Sequence, residues 1–96
     1  MSVKKVIEAI KHSKGNEEIM EQVLGWQNER SYDEIPSTYE EHLAACNKLA
    51  EDAQAILTAI RKAGVVFDKL SSHDKETWLV LRWWITNEDL MKVKPY

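Results

Sequence analysis

The feature that most restricts how this chain can fold is an apolar recurrence every seven residues through its middle. Tyr39, Cys46, Ala53, Ile60 and Phe67 form one row, and His42, Leu49, Ile56, Ala63 and Leu70 form the row beside it. Leu43, Ala50 and Leu57 widen the rows into a face broad enough for a helical bundle, wider than the seam of a coiled coil. A strand would need alternation with a period of two, which this region lacks. The spacing predicts an all-α fold.

Helix boundaries follow from punctuation around that stripe. Ser37 and Glu40 have the spacing of a capping box, so the third helix is expected over about 37–63, with Gly64 as its C-terminal stop. Upstream, Val3, Val6, Ile7 and Ile10 line one face of a short helix over about 3–12, capped by Ser2. A polar break from His12 to Asn16 contains Gly15. Ile19, Met20, Val23, Leu24 and Gln27 then mark a second helix over about 16–29, with Gly25 as a weak point. Arg30 to Pro36 reads as a connector, because Pro36 disfavours helical geometry at Ile35. Beyond Gly64, Val65 to Leu70 should pack back irregularly. Ser71 and Asp74 then cap a fourth helix over about 72–91, followed by a tail from Lys92 to Tyr96. The expected architecture is one domain over residues 1–96, a small four-helix arrangement of two short helices followed by a long helical hairpin. The connector leaves open whether the second and third helices are neighbours or lie across the bundle.

With 96 residues the chain has room for one core and buries only about 60 to 65% of its extended surface, so a partner or second copy would add stability. Its longest stretch without Asp, Glu, Lys or Arg is the eight residues Ala53 to Ile60, against the roughly 20 needed to span a bilayer. No contact with a membrane is expected. The first ten residues lack a signal-peptide core, and Cys46 has no second cysteine to pair with, so a reducing cytoplasm is the expected location.

The fourth helix carries the largest apolar surplus. Trp78, Leu79, Val80, Leu81, Trp83, Trp84 and Ile85 cover well over half its circumference, leaving Lys75, Arg82, Thr86 and Asp89 on a narrow polar strip. One core-facing stripe needs less than that. Some of Trp78, Trp83 and Trp84, with Arg82 among them as candidate partner-binding residues, are therefore expected at an interface, since tryptophan is favoured in binding hot spots. The competing expectation places the helix centrally, with all three rings in the core.

Charge is segregated beneath a net value of −3: residues 1–14 carry +3, residues 17–52 carry −8 and residues 53–96 carry +2. The acidic block includes Glu17, Glu18, Glu21, Asp33 and Glu34, which would steer a protein partner with a basic surface. The plainer reading is that acids gather at helix starts to complement the dipole and keep the chain soluble. Nucleic acid is an unsuitable partner, because the second helix opens on glutamates where a helix-turn-helix would present cations to the major groove. Lys4, Lys5, Lys11 and Lys14 lack an aromatic platform or a base-reading arginine beside them.

Catalytic constellations are missing. His42 and Cys46 share a helix face, but no spacing supplies the two further ligands of a structural zinc site. No nucleophile elbow is present, and three isolated glycines cannot build a phosphate loop. Glu17, Glu18 and Glu21 form an EExxE pattern that resembles the first metal-binding motif of the all-α nucleoside triphosphate pyrophosphohydrolases. That resemblance implies helix carboxylates holding Mg²⁺ against a substrate's phosphates. The family's second motif, ExxD, has no counterpart: Glu51 is followed directly by Asp52, and Glu29 stands four positions before Asp33. The expectation is a non-enzymatic interaction protein without cofactor or metal. It would be an accessory or inhibitory factor of phage or mobile-element type, docking on a larger host protein through its aromatic helix and acidic face. The alternatives are a homo-oligomeric structural domain, with a homodimer formed through the same tryptophans, and a Mg²⁺-dependent pyrophosphohydrolase-like enzyme.

Overall fold

The computed structural model describes residues 2–30 and 38–91, and within them all side chains except those of Arg30, His42, Leu43 and residues 86–91. The connector after Arg30, with Asp33, Glu34 and Ser37, lies outside the described residues, as do the tail from Lys92 onward and the side chains of His42, Leu43, Thr86 and Asp89. Among the described residues there are four α-helices and no strand: α1 (Val3–Lys11), α2 (Asn16–Arg30), α3 (Tyr39–Lys62) and α4 (Ser72–Met91), with a single 3₁₀ turn at Phe67–Lys69. The fold is all-α, as the spacing predicted.

Local chemistry sets each boundary. Ser2 caps α1 by accepting the Lys5 amide on Oγ at 3.3 Å, and Ser71 caps α4 by accepting the Asp74 amide at 3.2 Å. Thr38 caps α3, its Oγ1 accepting the Glu41 amide at 3.1 Å, so α3 starts at Tyr39, while Ser37, the expected cap, lies outside the described residues. At its other end the Gly64 amide donates to the Arg61 carbonyl at 3.0 Å and the Val65 amide to the Ile60 carbonyl at 3.2 Å. Those two bonds define a Schellman stop, which requires the left-handed backbone of Gly64, φ +89°. Val65 and Leu70 then turn back into the core, and half-buried Phe67 meets Trp78 edge-on at 5.7 Å. Gly25 does not end α2, which continues to Arg30.

The core joins Val6 and Ile10 of α1, Met20, Val23 and Trp26 of α2, Ile56, Leu57 and Ile60 of α3, and Trp78 and Leu81 of α4. The heptad rows hold through the middle of α3 and fail at its ends. Tyr39 is 65% exposed and Ala63 is exposed, because one is the first helical residue and the other the cap beyond the last. Trp26, which the expected stripe passed over, is fully buried, while Leu24 is only half-buried.

Packing order is now defined. α3 lies against α4 and α1, and α2 lies against α1 and α4, so α2 and α3 sit across the bundle from each other. Met20 and Leu24 share a cleft with Leu70 to Asp74, and Gln27 Nε2 donates to the Thr77 carbonyl at 2.9 Å. Consequently α2 and α4 run in the same direction, with their starts at one end of the molecule. The principal extents are 41 × 27 × 20 Å, and at about 10 Å per helix the thinnest dimension holds two helices. Each helix keeps an outward face; α4 is flanked by two others and is not enclosed by three. Among the described residues no helix is long and apolar enough to cross a membrane.

Candidate functional site

α4 divides its aromatic surplus by direction. Leu81 and Trp78 point inward and are buried, with Trp78 at 7% exposure. Leu79, Val80 and Trp83 point outward and are 56%, 42% and 49% exposed. Spaced one, three and four positions apart, they form one contiguous patch on the helix surface. Lys75 and Arg82 are both more covered than any of the three. The polar strip flanks the helix, with Lys75 Nζ 5.8 Å from the centre of the Phe67 ring. A rotation exchanging strip and ridge would have hidden the apolar patch, yet the core positions Thr77, Trp78 and Leu81 hold α4 in the orientation that exposes it.

The three candidate interface tryptophans therefore have separate surroundings. Trp78 is core. Trp84 is half-buried against the core, and its indole Nε1 is buried with no acceptor among the described residues. Trp83 stands outside, its ring edge-on to Trp84 at 5.0 Å and 69°. Trp84 thus braces Trp83 from beneath. Arg82 borders the ridge and is half-buried.

Glu17, Glu18 and Glu21 are all exposed on the first two turns of α2 and border one shallow hollow with Gly15 and Gln22. Part of this clustering is structural, since Glu18 Oε2 accepts the Lys14 amide at 3.2 Å just before the helix begins. Among the described residues, no three His, Cys, Asp or Glu side chains converge where they could hold a metal ion. Cys46 is buried. The glutamates lie beside the start of α4, and Trp83 is nine residues beyond Asp74, about 14 Å along the helix. Acidic patch and aromatic ridge are separate surfaces on adjacent helices.

Tyr39 and Val66 are also exposed, but neither adjoins the ridge in sequence, and they form no second patch with each other on one helix. Compared with known proteins, the chain matches no family model, no curated protein and no solved structure.

Proposed function

We propose that this protein is a non-enzymatic recognition module that seats the α4 ridge of Leu79, Val80 and Trp83 in an apolar groove of a larger protein. The observation carrying this reading is the inversion on α4, where three large apolar side chains face outward while Lys75 and Arg82 are more covered. Soluble monomers expose single apolar residues freely, and a contiguous apolar patch of a few hundred Å² is often, though not always, functional.

Size favours a concave partner over a second copy. Three side chains exposed by about half contribute at most a few hundred Å², whereas a stable interface needs about 800 Å² per partner. Two convex ridges crossing each other would bury little more. A groove would cover the flank that carries Arg82 and reach the exposed Glu76, which lies on the same face one turn before Leu79 and Val80. Glu17, Glu18 and Glu21 then serve as a steering field toward a basic rim, and the cytoplasm is the setting in which the free thiol of Cys46 would persist. An accessory or inhibitory role would follow from blocking the occupied groove.

The test compares three baits in capture from the native host: wild type, Trp83→Ala, and a triple variant with Glu17, Glu18 and Glu21 each changed to Lys. Trp83→Ala should weaken capture of one partner by about 30-fold, as expected when a hot-spot residue is truncated. The triple variant should slow association and reverse its salt dependence. Retention of every wild-type partner by Trp83→Ala would remove the proposal.

A further inference from the structure

The α4 ridge has edges of opposite charge. At roughly 100° per residue, Lys75 and Arg82 fall on the same edge beside Leu79, and their spacing of seven residues sets them about 10 Å apart along the helix. Both are half-buried, and Lys75 Nζ stands 5.8 Å from the centre of the Phe67 ring. Among the described residues neither has a carboxylate within ion-pair distance, Asp68 of the adjoining turn included. Their stems are packed while their charges face no acid.

The other edge, past Val80, has the reverse sign. His73 lies there, seven residues before Val80, and shares a cleft with Glu17 and Glu21 of α2, with Asp74 and with one lysine, Lys69. Glu76 leads the crest itself and is exposed. The ridge thus follows a boundary, with two cations on one side and mostly carboxylates on the other. A groove deep enough to bury Leu79 and Trp83 also covers the edge that carries Lys75 and Arg82. Taking two cations out of water against a neutral wall is unfavourable, so that wall must present carboxylates. The α2 side makes the opposite demand.

We infer that the partner's groove has lips of opposite sign, an acidic one over Lys75 and Arg82 and a basic one over the α2 side. This rests on the reading of the ridge as a groove-seated surface. Three apolar side chains alone would seat in either direction. Turning α4 end for end exchanges its edges and sets like charges together, so the two lips fix one direction of docking.

The probe is the host protein that wild type captures and Trp83→Ala loses, purified and titrated into the full chain. Lys75→Glu with Arg82→Glu should weaken binding at least about tenfold. Lys75→Gln with Arg82→Gln should weaken it less while keeping the helical circular dichroism of wild type. Lys5→Glu with Lys14→Glu makes the same change of net charge on and just beyond α1, which packs on α2 and α3, and should alter affinity by less than about threefold. Carbodiimide coupling, which joins an amine to a carboxylate in contact with it, should link Lys75 to an Asp or Glu of the bound protein and Glu21 or Glu76 to one of its lysines. Full affinity in both α4 double variants, an equal loss in the Lys5 and Lys14 variant, or coupling of Lys75 to no carboxylate of the partner overturns the inference and leaves the ridge reading standing. If no captured protein depends on Trp83, both are overturned.

Discussion

At the scale of single residues, two glycines in helical surroundings have opposite roles. Gly64 occupies the left-handed region at φ +89°, and a methyl group there would meet nothing within 4 Å, so any penalty is conformational. Gly64→Ala should cost about 1 to 2 kcal/mol and lower Tm by several degrees in thermal unfolding. Gly25 lies exposed inside α2, again with nothing within 4 Å of an added methyl, so Gly25→Ala should stabilise by up to about 1 kcal/mol in the same measurement. Opposite signs for the two variants would confirm the assigned backbone roles. Trp26 is the residue whose importance sequence reasoning missed. Ile19, Val23 and Trp26 share a face by the same spacing used for the rest of α2, but the concentration of tryptophan in α4 drew the reading there. Trp26→Ala should cost about 3 to 5 kcal/mol in urea unfolding. Trp26→Phe should cost clearly less, because it also removes a buried indole N–H that has no acceptor among the described residues.

At the scale of elements, helix ends were legible because their signals are chemical and local. Ser2, Ser71 and Gly64 act as their residue types dictate, and the cap of α3 falls on Thr38, one residue after the Ser37 expected from the spacing. The rotation of α4 was not legible, since a helix apolar over most of its circumference fits a core in several orientations. Gln27 supplied a missed constraint: it is buried and tied to the Thr77 carbonyl, fixing α2 against one side of α4. Gln27→Ala should cost about 1 to 3 kcal/mol, read by chemical denaturation. The two faces of α4 should separate by mutation. Trp78→Ala should destabilise by about 3 to 5 kcal/mol, whereas Trp83→Ala should change stability by less than about 1 kcal/mol and act on partner binding. Similar unfolding midpoints for the two variants would contradict the assigned orientation.

At the scale of the molecule, fold class and helix count followed from periodicity, but packing order did not, because it depends on which helices share a side and no local signal encodes that. The arrangement of α2 and α3 across the bundle leaves a slab two helices thick. This geometry explains why α4 could not be sheltered by its companions. It also predicts that light scattering during size exclusion will give a monomer mass that does not change with concentration, since the ridge is too small to hold two copies together. The parallel course of α2 and α4, and of α1 and α3, gathers the turns after α1 and α3 at one pole, whereas α1, about 14 Å long, begins well short of the other pole, where α3 starts and α4 ends. Among the described residues that far end is a two-helix hairpin, so its backbone amides should exchange with solvent sooner than those of the four-helix end.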